Sequence, residues 1–149
     1  MKKRIFLISM IFAAMLSACA RDLPLEETVV LPVSQCITMA VDDETITPEG
    51  ASFLLLQTTD LDIQYGDAYI LEKQTENGWE AVPAIIEAYA FHAVAYSLPK
   101  DMPKTLEVDW EWLYGSLPPG EYRLAKEFMD FRGTGDYDTY TITAPFIIE

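Results

Sequence analysis

Histidine and cysteine are nearly absent from this sequence. One histidine and two cysteines among 149 residues leave little material for a nucleophile–base pair or a transition-metal ligand set. Basic residues are scarce too: ten Lys and Arg stand against twenty-four Asp and Glu, a formal net charge of -14 at pH 7. Such a surface repels nucleic acid and anionic lipid headgroups, and it attracts cations, basic peptides and basic proteins while also favouring plain solubility. Long helical patterning is missing as well. No stretch holds an apolar stripe of 3.6-residue period for more than two turns, which argues against a helical bundle and against repeated strand–helix units.

What is present at the N-terminus is processing information. Lys2, Lys3 and Arg4 precede an apolar run from Ile5 to Ala18, too short for an ordinary membrane-spanning helix and the right size for the core of a secretion signal. Leu16-Ser17-Ala18-Cys19 resembles the lipobox of bacterial lipoproteins, in which the cysteine sulfur is lipidated before cleavage. The alternative is an ordinary signal with Cys19 incidental. Lipidation implies a signal peptide over residues 1–18, a lipidated N-terminus and tether over 19–34, and one domain over 35–149. Each buried acyl methylene contributes about 0.8 kcal/mol, so several chains on Cys19 hold the protein durably. Ala20 stands where an aspartate would retain many lipoproteins in an inner membrane. The expected place is the extracytoplasmic side of the cell membrane, or the outer membrane where there is one. With Cys19 lipidated, Cys36 is left without a partner inside the domain, and it reads as a small apolar residue entering a strand.

The two-residue period dominates the rest. Strands are predicted over Cys36 to Val41, Ala51 to Gln57, Tyr69 to Lys73 and Tyr89 to Leu98, with Ala84 to Ala93 also open to a helical reading. Glu76-Asn77-Gly78 marks a hairpin. Leu106, Val108 and Trp110 share one parity, as do Tyr122, Leu124 and Phe128, interrupted by Lys126, whose amine is expected to reach water. Tyr140, Ile142, Ala144, Phe146 and Ile148 alternate with threonines in the last strand. About seven short strands argue for an all-β Greek-key sandwich.

The most distinctive stretch is DWEWLYGSLPPGEYRLAKEF, residues 109–128. Asp109 can cap one helical turn that Gly115 ends, and Pro118-Pro119-Gly120 suits a type II turn. Tyr122 then starts a strand where its ring enters the core and its hydroxyl bonds back to the turn, as in a tyrosine corner. Trp110, Gly115, Gly120 and Tyr122 are therefore assigned to architecture. The ordered set Tyr69-x-Leu71-Glu72-Lys73, Gly78-Trp79-x-x-Val82-Pro83, Asp109-Trp110-x-x-Leu113-Tyr114-Gly115-x-Leu117-x-x-Gly120-x-Tyr122-Arg123-x-x-Lys126-x-Phe128 and Ala144-x-Phe146 resembles the bacterial immunoglobulin-like domain of envelope lipoproteins, chiefly of Firmicutes. The resemblance spans about residues 36–149. It implies an immunoglobulin-like or fibronectin-type sandwich outside the cytoplasm and transfers no catalytic residue; the alanine-rich segment from Ala81 to Ala95 departs from it.

Candidate chemistry is thin. His92 lies between Phe91 and Ala93 with no base or cysteine at a catalytic spacing, and Ser52, Ser97 and Ser116 lack nucleophile-elbow surroundings. Asp60 with Asp62, or Asp130, Asp136 and Asp138, offer oxygen ligands for calcium but match no EF-hand loop, so solvated turns are the favoured reading. Neither an enzyme nor a cofactor is expected, and nucleic acid is excluded as a partner on charge. The favoured function is an anchored binding module for an envelope protein or cell-wall component, with Trp79, Trp112 and Tyr114 the aromatics least explained by the core pattern. A small hydrolase using paired carboxylates and a structural spacer are the alternatives.

Overall fold

The computed structural model describes residues 31–149. The signal peptide, Cys19 and most of the tether lie outside the described residues. Two sheets of antiparallel strands face one another, the all-β sandwich that the alternation predicts, with nine strands among the described residues where about seven are expected. One sheet has the order β1 (Ile37–Val41), β2 (Gly50–Gln57), β7 (Lys104–Asp109). The other has the order β5 (Gly78–Ala81), β4 (Ile70–Thr75), β8 (Gly120–Gly133), β3 (Ile63–Tyr65), β6 (Tyr96–Ser97), with β9 (Asp136–Ile148) along the other side of β8. Two single α-helical turns, α1 (Val33–Cys36) and α2 (Glu111–Tyr114), and a 3-10 turn over Asp43–Thr45 complete the described residues.

Alternation explains the core where both sheets cover a strand. Phe53 and Leu55 of β2, Leu71 of β4, Tyr122, Leu124 and Phe128 of β8, and Ala144, Phe146 and Ile148 of β9 are buried. At their centre Phe146 stacks on Trp110 and Tyr122, with ring centroids 5.2 and 5.9 Å away, and meets Phe53 edge-on. These geometries are the ones the ring quadrupoles favour. Nearer the start of β9, Tyr140 and Ile142 are only half-buried, although their partners across the ladder, Phe128 and Lys126, are fully buried; β9 pairs on one side only. Cys36 ends α1 half-buried, just before β1.

Two expectations are corrected, and one strand is added. Only Tyr96–Ser97 of the long candidate over residues 89–98 is a strand, pairing with Gln64 and Tyr65. The preceding segment is irregular, since its small alanines give a sheet little to pack and Pro83 and Pro99 bracket it. β3 went unforeseen, because two buried residues, Ile63 and Tyr65, are too few to show a period. Lys126 is also different: the amine does not reach water but is buried, donating to the carbonyls of Gly66 and Ala68 at 2.6 and 3.0 Å.

Candidate recognition surface

Asp109 and Gly115 bound the turn that presents Trp112. Asp109 Oδ1 accepts from the Glu111 N–H at 3.0 Å and shares that helix donor with the Glu49 carbonyl at 3.1 Å. Gly115 leaves the turn at φ 71°, a region costly for other residues. Within the turn the two tryptophans separate. Trp110 is fully buried and its indole N–H donates to the Pro48 carbonyl at 2.8 Å, whereas Trp112 is 43% exposed. Downstream, the Tyr122 hydroxyl donates to the Pro118 carbonyl at 2.8 Å, the bond a tyrosine corner makes. Gly120 has φ 158°, so it opens β8 in an extended conformation and not the second central position of a type II turn, which needs about +80°.

Trp112 is one wall of an aromatic cluster built with the irregular segment. Phe91 and Tyr89 meet its indole edge-on at 5.7 and 6.2 Å, and Phe91 also packs on Tyr69 at 5.2 Å. On the same helical turn as Trp112, the Leu113 carbonyl accepts from the N–H of Ile85, which is 66% exposed, and the next residue, Ile86, is exposed too. Large apolar side chains gathered in one place on a highly charged protein are a marker of interaction. Behind the cluster lies a cleft of about 440 Å³ between the 90–92 segment and β7, bounded by Asp67, Tyr69, Glu107, Asp109 and Trp112. Tyr69 closes its floor, with its hydroxyl donating to the Asp109 carbonyl at 3.0 Å. Burial pushes the Tyr69 phenol well above its ordinary range, and the Tyr65 and Tyr114 phenols upward as well.

The residues singled out by sequence are not brought together. Tyr114 is buried in the core, 6.2 Å from Tyr69. Trp79, on β5, lies under the Arg123 guanidinium at 4.6 Å and borders a different, wider recess of about 820 Å³ beside Tyr122 and Phe146. Of the three proposed aromatics only Trp112 stands on the exposed cluster. Ile85, Ile86, Tyr89 and Phe91 were missed as site residues. The available signal was an apolar run from Ala84 to Ala95, broken only by Glu87 and His92, that lacks strand alternation.

Electrostatically the described residues present carboxylates with few free cations. Arg123 pairs with Glu72, Lys100 with Asp60, and Arg132 with Asp130, Asp136 and Asp138 together. Those three aspartates thus converge on a guanidinium, and among the described residues no group of His, Cys, Asp and Glu is arranged to hold a metal ion. Lys126 is consumed inside the fold, where burial lowers its pKa to about 8, partly opposed by Asp67. His92 is largely exposed, with Nδ1 3.2 Å from Asp67 Oδ2; no nucleophile accompanies it. Among the described residues no helix is long and apolar enough to cross a membrane.

Comparison with known proteins adds a family. A sequence profile described as a bacterial Ig-like domain matches residues 33–147, most of the chain and nearly all of its sandwich. No curated protein and no solved structure gives a significant match.

Proposed function

The chain belongs to the bacterial Ig-like domain family, and from that premise we propose that it is a recognition module, held at the extracytoplasmic face of the cell membrane by lipid on Cys19. Residues 1–18 are the signal that exports it, and residues 19–34 the tether that carries the sandwich. Its partner is an envelope protein or cell-wall component, met through Trp112 with Ile85, Ile86 and Tyr89. The carrying observation is this exposed apolar cluster on a protein whose remaining surface is strongly acidic. A docking role against the bilayer is disfavoured by the same charge, which repels anionic headgroups.

Crosslinking pull-down from intact cells, with the full-length protein as bait beside an Ile85→Ser/Trp112→Ala variant, tests the reading. Recovery of a partner by the native chain and its loss with the variant is the expected result. Equal recovery by both baits removes the cluster as the site. Recovery of nothing above a lipidated control favours a spacer. Fatty-acid labelling of the native chain and of Cys19→Ala checks the anchor separately; equal labelling of both would exclude it.

A further inference from the structure

We infer that the cleft beneath the aromatic cluster takes an extended, basic polypeptide segment, which adds as a further strand to the free edge of β7. The inference rests on the recognition face proposed above and names the partner chemistry for it. Trp110 N–H donates to the Glu49 carbonyl at 2.9 Å, and the register pairs Gly50 with Asp109 and Ser52 with Glu107. In an antiparallel ladder hydrogen-bonded pairs alternate with non-bonded ones. Val108 and Leu106 therefore direct their amides and carbonyls at β2, and Thr105, Glu107 and Asp109 direct theirs outward. The bond from the Tyr69 hydroxyl to the Asp109 carbonyl independently places that carbonyl on the outer edge. Among the described residues the outward amide and carbonyl of Thr105 and Glu107 have no backbone partner.

This edge is not flat and open. It borders the cleft together with Phe91 and Trp112, so an incoming strand gains ladder hydrogen bonds from β7 and contact with aromatic rings in the same place. Carboxylates set the choice of strand. Asp67, Glu107 and Asp109 border the cleft, and the exposed His92 is the only group there able to carry positive charge; Lys104 stands at the far end of β7. Lysine or arginine side chains alternating along the strand meet those carboxylates and can lie over the indole of Trp112. A second copy of the chain is a poor occupant, because it brings a surface of the same negative sign against Asp67, Glu107 and Asp109, and self-pairing about Glu107 sets that carboxylate against its own twin. Charges on an edge commonly serve only to prevent aggregation; here they share a cleft with the exposed Trp112 and the half-buried Phe91.

The test uses the full-length chain in detergent and an eight-residue fluorescent peptide of alternating valine and lysine. Its controls are the valine–glutamate peptide and a valine–lysine peptide N-methylated at alternate residues, which cannot complete the ladder. Fluorescence anisotropy reads affinity, and hydrogen exchange by NMR reads the Glu107 amide. Saturable binding, slowed exchange at Glu107, and at least tenfold weaker binding of both control peptides are expected. Glu107→Pro removes the outward donor and should abolish binding. Should that variant fail to fold, the N-methylated peptide decides alone. Equal binding of the N-methylated peptide, protection away from β7, or no binding overturns strand addition, and equal binding of the valine–glutamate peptide overturns the basic preference. Slowed Glu107 exchange that depends on protein concentration without peptide assigns the edge to a second copy and also overturns the inference. Loss of cellular capture with Ile85→Ser/Trp112→Ala but not with Glu107→Pro would leave the recognition surface standing and remove only its strand-addition mechanism.

Discussion

Raising the pH should strengthen this fold until the tyrosines begin to ionise, and Lys126 is the reason. Its ammonium sits on β8 inside the sandwich, held by the carbonyls of Gly66 and Ala68 and 5.5 Å from the centre of the Tyr65 ring. Burial lowers its pKa from 10.5 to about 8. The unfolded chain therefore binds more protons than the folded one between those values, and stability rises with pH across that window. Below about pH 8 the folded state carries the whole penalty; above the unfolded pKa it carries none. Linkage with these two values gives a gain of about 2 kcal/mol between about pH 7 and pH 9.5. Urea denaturation at several pH values, on the native chain and on Lys126→Met, isolates this contribution because other titrating groups cancel in the difference. The native-minus-variant stability should climb by that amount. A difference that stays flat with pH, or an NMR titration placing the Lys126 amine near 10.5, would refute the reasoning.

Three further outcomes follow from single contacts. Tyr122→Phe should cost on the order of 1 kcal/mol through loss of the bond to the Pro118 carbonyl, read from urea midpoints; an unchanged midpoint would leave the hydroxyl without a structural role. Trp110→Ala should destabilise by about 3–5 kcal/mol, whereas Trp112→Ala should cost clearly less, about 1 kcal/mol, because its ring is 43% exposed and loses only its edge-on contacts with Phe91 and Tyr89. Comparable losses in thermal melts of the two would contradict their different placement. Gly50→Ala puts a Cβ 2.6 Å from the Val108 carbonyl oxygen, a collision with backbone that should cost at least about 1–3 kcal/mol by the overpacking scale; a neutral effect in the same melts would show that β2 and β7 separate easily.

Local chemistry made much of this protein legible before folding was considered. The alternation of Leu124, Phe128, Ala144, Phe146 and Ile148 determines a strand with one wet and one dry face, because successive side chains in extended backbone point opposite ways. The bond from the Glu111 N–H to Asp109, the exit at Gly115 and the return of Tyr122 to Pro118 are equally local, since each joins groups within a few residues; the cap position itself falls one residue later, on Trp110. The excess of carboxylates is plain composition. Other features depend on which distant segment covers a residue, and parity cannot supply that. Lys126 has the parity of a core position, yet whether its amine finds water or the carbonyls of Gly66 and Ala68 depends on a loop some sixty residues earlier in the chain. Trp110 and Trp112 differ by two positions; the fold buries one against Pro48 and Phe146 and leaves the other beside Tyr89 and Phe91. The run from Ala84 to Ala95 looks like core by composition. Apart from Ala84 and Phe91, which pack against the core, it stays exposed with no strand of the sandwich paired to residues 84–95, and that long-range arrangement, decided only in the tertiary structure, turns an apolar sequence into a candidate binding surface.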